Sequence, residues 1–237
     1  MERVGLIAMF TLSVAVLTGC GGGGGYGGYG GGGGGNLMSA PGEATINAYF
    51  QASHSATLNA SSGANNFQLQ ISRVPGATTT FEGTANAHTL VTTLNLLNNG
   101  VLVVNAITTG YFLVNPYVPL GSTSSTGTPY GVVTSSYPLP ANFTVGGSGP
   151  VLNLTSYHDS TKAIVDISET GTYSITANNY TTLFACLDAT LSNVTAQGTA
   201  DGLVNATESD CYTVDAAGNA ALVSITLSVN GTVLKFQ

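Results

Sequence analysis

Residues 90–104 read LVTTLNLLNNGVLVV, two apolar-rich runs on either side of Asn99-Gly100. An Asn-Gly pair between two such runs is the strongest short-range signal for a β-hairpin, because a type I′ turn needs positive φ at both central positions. We therefore expect two antiparallel strands here. The near-continuous apolar run from Val101 to Val104 further predicts a central strand that is covered on both faces.

The same kind of pattern recurs along the chain. Apolar and polar residues alternate, as on a half-buried strand, in several short segments. These segments are Phe67–Ile71, Ala163–Ile167, Tyr173–Ala177, Leu183–Leu191 and Ala221–Val229. We expect turns at Glu169-Thr170-Gly171 and at Asn230-Gly231. Helical periodicity is absent, and turn residues recur at roughly 8–12 positions, a spacing typical of a sandwich or barrel.

These patterns predict an all-β fold, an antiparallel β-sandwich of the immunoglobulin-like kind, as one large or two small sandwiches. The stretch Asn115–Pro150 holds six of the eight prolines. Because proline is confined to sheet edges and turns, we interpret this stretch as an interdomain linker or a long surface excursion. We place a boundary near residue 140. Residues 43–139 then form a β-rich domain or first half of a sandwich, and residues 140–237 an immunoglobulin-like domain.

A local resemblance points the same way. Residues 212–219, Tyr-Thr-Val-Asp-Ala-Ala-Gly-Asn, resemble the Asp-x-x-Gly-Asn hairpin near the end of many bacterial immunoglobulin-like repeats. The resemblance covers residues 212–229 and implies a strand, a turn and a second strand. Those families mostly serve as surface spacers and adhesive modules, and this chain departs from them in having no tryptophan. We expect Asp215 to cap its own turn through bonds to backbone N–H groups.

The first residues predict export and a lipid anchor. Val4–Val16 is mostly apolar but shorter than the ~20 residues that a membrane-spanning helix needs, so it fits the apolar region of a secretory signal. The next residues, Leu17-Thr18-Gly19-Cys20, resemble the lipobox of bacterial lipoproteins. That resemblance implies a signal peptide at 1–19, lipid on Cys20, and, with Gly21 next, an outer-membrane destination.

Residues 20–42 are expected to form a disordered tether behind the lipidated cysteine. The run Gly21–Gly35 contains only glycine, Tyr26 and Tyr29. Such a chain has almost no side chains to bury and high backbone freedom. Its root-mean-square span is on the order of 20 Å, which lifts a folded domain off the membrane surface.

Charge and cysteine content narrow the possible partners. Only 6% of residues are charged and the net charge is −7, whereas nucleic-acid binding needs clustered Lys and Arg. Beyond the expected signal peptide the basic residues are Arg73, Lys162 and Lys235, which argues against nucleic acid as a partner. With Cys20 lipidated, Cys186 and Cys211 remain, and an exported pair predicts a disulfide.

The search for chemistry predicts no catalytic residue and no cofactor. The histidines are His54, His88 and His158, and no HExxH or GxSxG motif is present. His158-Asp159-Ser160 brings together the three residue types of a catalytic triad, but adjacent strand residues point to opposite faces and cannot form one with each other. We interpret the segment as a polar turn between two strands. Calcium takes six to eight oxygen ligands, so Asp201, Glu208 and Asp210 are candidate ligands; the alternative is that these acids only solubilise the protein.

We therefore expect a lipid-anchored envelope protein, not an enzyme, with a structural, adhesive or binding role. Its partners would be the membrane and a glycan or an envelope protein. One alternative is a carbohydrate-binding module, which needs exposed aromatic side chains. The candidates are Tyr111, Tyr117, Tyr130, Tyr137, Tyr157 and Tyr180. Another is a hydrolase with a dispersed site, which needs a pocket with a histidine beside a carboxylate.

Thr232–Gln237 is a candidate sheet edge open to strand addition, with Lys235 as the charged residue that hinders unwanted pairing.

Overall fold

The computed structural model describes residues 36–237. The predicted signal peptide 1–19, the predicted lipidation site Cys20 and the glycine run to Gly35 lie outside the described residues. Of the expected disordered tether 20–42, residues 39–41 form a short strand instead, which pairs with Asn142–Thr144. Within 36–237 the chain forms fourteen strands and two short helices. The strands are β1 Ser39–Pro41, β2 His54–Ser62, β3 Asn65–Phe81, β4 Thr84–Asn98, β5 Val101–Leu113, β6 Val118–Ser124, β7 Tyr130–Ser136, β8 Asn142–Thr144, β9 Ser148–Tyr157, β10 Val165–Ala177, β11 Thr182–Ser192, β12 Ala206–Asp215, β13 Ala220–Val229 and β14 Thr232–Phe236. The helices are α1 Glu43–Phe50 and α2 Ala196–Ala200.

Twelve strands belong to one antiparallel sheet. Its order is β14-β13-β12-β11-β10-β9-β7-β6-β5-β4-β3-β2, and β1 pairs separately with β8. The sheet curls until its two ends meet, where the N–H of Asn59 donates to the carbonyl of Gln237 (3.1 Å) and the N–H of Gln237 donates back (3.0 Å). The result is a nearly closed, barrel-like sheet. The all-β antiparallel prediction is confirmed, whereas the immunoglobulin-like sandwich is not confirmed by this strand order.

The predicted hairpin turns are present. Asn99 and Gly100 have φ of 49° and 80°, and Asn230 and Gly231 have φ of 48° and 80°, as the two central positions of a type I′ turn require. At the β12–β13 turn the carboxylate of Asp215 accepts from the N–H of Ala217 (2.9 Å) and of Asn219 (2.8 Å). The expected self-capping of Asp215 is confirmed.

Two local strand predictions are wrong. The turn expected at residues 169–171 does not form, because β10 runs straight through it, with Gly171 opposite Leu152 on β9 and Ala189 on β11. Val101–Val104 does not form a strand covered on both faces. Val101 is 66% exposed and only Val104 of that run is buried, since no second layer covers this part of the outer face.

The proline-rich stretch Asn115–Pro150 is neither a linker nor a surface excursion. It contains β6, β7 and β8, and β7 pairs directly with β9. Its prolines sit mostly between strands or at positions where the register is irregular, such as Pro119 beside the shift in the β5–β6 pairing. The sheet therefore continues across residue 140, and a domain boundary at that point stays a prediction.

The helix α1 departs from the expectation that the chain has no helix. Ile46, Tyr49 and Phe50 are buried, together with Thr45 and Asn47. The ring of Phe50 lies 4.8 Å from those of Phe112 and Tyr117. Because most of this short helix is buried, it shows no apolar and polar period that a sequence search can detect. Neither helix of residues 36–237 has the length and apolar composition needed to cross a membrane.

The interior is apolar apart from a few charged groups. Leucine, isoleucine, phenylalanine and alanine from alternate strand positions form one continuous core. Five charged side chains of residues 36–237 are buried at 0–3% exposure: Arg73, Asp166, Glu169, Glu208 and Asp210. The outward positions carry mostly Ser, Thr, Asn and Gln. Candidate functional residues are therefore expected in three places: at the ends of the curled sheet, at the seam between β2 and β14, and around these buried charges.

Candidate functional site

Three potential metal ligands meet where β9, β10 and α2 approach one another. His158 follows β9, and its N–H donates to the carbonyl of Ile164 (3.0 Å), which closes the loop before β10. The loop contains the predicted polar turn, in which the N–H of Thr161 donates to the carboxylate of Asp159 (2.9 Å). A register irregularity in β10 separates Val165 from Ile167. Asp166, between them, lies under α2.

Local contacts hold α2 against this strand. Thr195 caps the helix by accepting from the N–H of Gly198 (3.1 Å), and its hydroxyl donates to the carbonyl of Val165 (2.7 Å). The N–H of Thr195 donates to the carbonyl of Asp166 (2.9 Å). A side chain at Gly198 would collide with that same carbonyl, so glycine permits the close approach. Asp201, at the end of α2, is brought to Asp166 in this way.

The ligand atoms of His158, Asp166 and Asp201 all lie within 4.8 Å of one another. Nδ1 of His158 is 2.8 Å from Oδ2 of Asp201, with the two side chains 37% and 16% exposed. The amide of Gln197 donates to both carboxylate oxygens of Asp201, at 3.1 and 3.2 Å. We refer to His158, Asp166 and Asp201 as the end cluster.

Asp166 is the most constrained member of the end cluster. It is 0% exposed, and its carboxylate lies beside that of Asp201, with which it shares a hydrogen bond when one of the two is protonated. Burial, with the nearby charge of Asp201, raises the pKa of Asp166 to about 6. The hydrogen bond to Asp201 raises the pKa of His158 above its usual value. Two carboxylates and an imidazole in this arrangement can hold a divalent cation.

A cleft of about 220 Å³ adjoins the end cluster. Asp201 and Leu203 line one part of it, and hydroxyl-bearing residues of the β6–β7 connection, among them Ser124 and Thr128, line another. Asp201 therefore belongs both to the end cluster and to a space that a small ligand can enter.

The residues expected to bind calcium do not come together as a set. Asp201 lies in the end cluster. Glu208 and Asp210 are in β12 at alternate positions and face the core, at 3% and 1% exposure. Among residues 36–237, the group that could hold a cation combines Asp201 with His158 and Asp166 instead.

The interior charges form a network around Arg73. Its Nη2 is 3.5 Å from Oδ2 of Asp210, and its Nη1 donates to the hydroxyl of Tyr49 (3.2 Å). Burial opposes the charge of Arg73, but Tyr212, Tyr49 and Asp210 together hold its pKa above the usual value. Burial raises the pKa of Asp210, against the opposing effect of Arg73. Because Arg73 and Asp210 are both inaccessible to solvent, we assign this network a role in stabilising the fold rather than in binding a ligand.

The candidate glycan-binding tyrosines do not form one exposed platform. Tyr117 is buried and Tyr180 is 76% exposed. The rings of Tyr111 and Tyr130 stack on Phe81, with centroids 4.1 and 5.7 Å away. These two tyrosines therefore pack against the tip of the β3–β4 hairpin. Of the remaining candidates, Tyr157 is partly buried and Tyr137 is exposed.

The predicted disulfide is confirmed. Cys186 on β11 and Cys211 on β12 are direct register partners and form a disulfide, with their Cα atoms 4.0 Å apart. The bond joins two neighbouring strands on the side opposite the buried Leu187 and Asp210.

The seam between the two ends of the sheet is only partly closed. In the antiparallel register set by Asn59 and Gln237, the next hydrogen-bonding pair would be Ser61 and Lys235. Among the described residues β2 and β14 are not paired in the sheet, so this second pair does not form. A groove of about 830 Å³ opens there, which we call the seam groove. Its lining includes Asn59, Ser61, Asn66, Gln68, Val233 and Lys235.

Comparison of the chain with protein-family models, with curated proteins and with solved structures gives no match. Its class is therefore defined by its own geometry, a nearly closed antiparallel sheet with a seam groove and an end cluster. The sequence placed His158 in a polar turn, but it gave no signal for Asp166, whose role depends on the packing of α2.

Proposed function

We propose that this chain is a lipid-anchored protein of the cell envelope, outer-membrane in destination and not an enzyme, with a structural or binding role. The lipobox-like segment ending at Cys20 and the glycine run after it support the anchor. We also propose that the hairpin at residues 212–229 is related to bacterial immunoglobulin-like repeats, because its sequence resembles theirs.

The seam groove is the observation that carries the binding role. A pair of hydrogen bonds joins Asn59 on β2 to Gln237, the residue after β14, and the strand edges next to that pair line open space. Exposed strand edges bind extended segments by adding a strand, with main-chain bonds providing affinity. We propose that the seam groove accepts an extended segment of an envelope protein, between the edges at Ser61 and Lys235.

A photo-reactive amino acid in place of Val233, in the full-length chain expressed in its own host, tests this binding role. Val233 lies in the seam groove and is 60% exposed, and the matched control is Val74, 49% exposed and outside the groove. We expect a discrete protein adduct from position 233 and none from position 74. The adduct should disappear in Ser61→Pro, because proline removes the N–H that faces the groove and is tolerated at a sheet edge.

An adduct that forms equally in Ser61→Pro, or an absence of adducts from position 233, would contradict the strand-addition role. An adduct with polysaccharide would favour the carbohydrate-binding alternative. The specific support for that alternative is the row of amide side chains in the groove, Asn59, Asn66, Gln68 and Asn99, since amides can hydrogen-bond sugar hydroxyl groups.

The hydrolase alternative has one feature in its favour. The Nδ1 of His158 lies 2.8 Å from Oδ2 of Asp201, beside a cleft. The other two histidines lie in different surroundings, with His54 stacked on Tyr49 (3.7 Å) and His88 near Phe112 (5.8 Å). The geometry of the end cluster fits cation binding better, because Asp166 contributes a second carboxylate, which is fully buried.

A further inference from the structure

We propose that His158, Asp166 and Asp201 bind a divalent transition-metal cation of the Zn²⁺ class. This site goes beyond the anchoring and binding role and does not depend on it. One imidazole nitrogen and two carboxylates are a ligand set that Zn²⁺ accepts, at distances of about 2.0–2.2 Å. Ligands around such an ion lie roughly 3–4 Å apart. The present spread of up to 4.8 Å needs only small side-chain rotations to reach that value.

The buried state of Asp166 is the second observation that points to an ion. Its carboxylate is fully buried, and in the described part of the chain it lies beside a second carboxylate, that of Asp201, rather than beside an N–H donor. A buried carboxylate is strongly destabilising unless it is paired or coordinates a metal. Asp201 lies beside it, so the two carboxylates can share a proton. A divalent cation would replace that proton and neutralise both charges.

No lysine or arginine side chain of residues 36–237 supplies that charge. Between residues 36 and 237 the Lys and Arg residues are Arg73, Lys162 and Lys235. Arg73 pairs with Asp210, Lys162 pairs with Glu82, and Lys235 lies in the seam groove. His158 is the remaining positive group near Asp166. A metal ion would bind both carboxylates and replace the proton on Nδ1 of His158.

The ligand chemistry selects among metals. Ca²⁺ and Mg²⁺ prefer oxygen ligands alone, whereas an imidazole nitrogen favours Zn²⁺ and its neighbours in the first transition series. The amide of Gln197 already orients Asp201 by donating to both of its oxygens, which is the usual role of an outer partner at a metal site. Because the side chain of His158 is 37% exposed, the ion has a route from solvent.

Metal binding by the full chain, purified in detergent and stripped with a chelator, tests this proposal. We expect one Zn²⁺ per chain by equilibrium dialysis with elemental analysis, and an increase in the thermal unfolding temperature with Zn²⁺. Ca²⁺ should bind at least about tenfold more weakly, since it gains nothing from the imidazole.

Asp166→Asn and His158→Ala should each weaken Zn²⁺ binding by roughly tenfold or more. His88→Ala, a change of the same kind outside the end cluster, should leave it unchanged. Asp166→Asn has nearly the shape of the native side chain, and His158 is partly exposed, so at least one variant should fold; thermal unfolding without metal verifies this. Absence of Zn²⁺ binding, equal binding by the wild type and both variants, or tighter binding of Ca²⁺ than of Zn²⁺ would overturn the proposal.

Discussion

Arg73 and Asp210 form an ion pair inside the sheet, with Nη2 of the arginine 3.5 Å from Oδ2 of the aspartate and the two side chains 1% and 2% exposed. They come from β3 and β12, near opposite ends of the strand order. The hydroxyl of Tyr49 on α1 accepts from the same guanidinium. This contact therefore ties together the two halves of the curled sheet and the helix inside their core.

Arg73→Met should destabilise the protein strongly, by roughly 3–5 kcal/mol, because it leaves the Asp210 carboxylate buried without its counter-charge. Urea unfolding monitored by circular dichroism measures the change. The matched control is Lys162→Met, which breaks the partly exposed pair with Glu82 and should change stability by less than about 1 kcal/mol. Equal stability of Arg73→Met and the wild type would show that the pair contributes nothing net.

Glu169 should make stability fall as pH rises. Burial raises the pKa of this carboxyl group from 4.5 to about 8. Between those two values the folded protein holds a proton that the unfolded chain has released, so the free energy of unfolding decreases with pH. The slope from one such group reaches at most about 1.4 kcal/mol per pH unit.

Glu169→Gln removes this titration. The variant should gain stability relative to the wild type as pH rises from about 5 to about 8, with the difference constant above that range. Urea unfolding of both proteins across this range gives the difference directly. Glu82→Gln, at a partly exposed position whose carboxyl pKa is lowered by Lys162 and Tyr130, should not reproduce this gain. A stability difference for Glu169→Gln that does not change with pH would contradict the account.

Reduction of the Cys186–Cys211 disulfide should lower the free energy of unfolding by roughly 3 kcal/mol, because the bond closes a loop of about 25 residues in the unfolded chain. Unfolding of the full chain with and without reductant measures this loss. The double variant Cys186→Ser with Cys211→Ser should show the lower stability and no response to reductant. A wild-type stability that reductant leaves unchanged would argue against a formed disulfide in solution.

Gly121→Ala should destabilise the packing of the β3–β4 hairpin tip. A Cβ at position 121 would lie 2.7 Å from Cε1 of Phe81 and would collide with the carbonyl of Gly131. Overpacking of this kind destabilises by up to about 3 kcal/mol. Gly100→Ala meets no neighbouring atom, so only its positive φ contributes, about 1–2 kcal/mol. Chemical denaturation should separate the two variants, and equal losses would mean that Phe81 is not held over Gly121.

Much of the strand content could be predicted from sequence because it depends on local patterns. Asn99-Gly100 and Asn230-Gly231 supply the positive φ values that their turns need, and the alternation in Leu183–Leu191 matches its burial along β11. Closure of the sheet could not be predicted. It depends on Asn59 meeting Gln237, a long-range contact that no local pattern records.

The candidate site was predicted only in fragments for the same reason. Asp201 was singled out as an acid beside a probable loop and His158 as part of a polar turn. Their association depends on the glycine at 198, which lets α2 approach β10. Asp166 reads as an ordinary polar strand position in the sequence. Its buried position beside Asp201 follows from the packing of a helix too short to produce a periodic signal.

The most direct test of the account is the intact and peptide mass of the protein purified from envelope membranes of its own host. We expect a mature chain that begins at Cys20 with a diacylglyceryl or triacyl adduct on that residue, together with a Cys186–Cys211 linked peptide. A mature chain with no lipid on Cys20 would contradict the proposed anchor, and a freely released protein would then replace the anchored one.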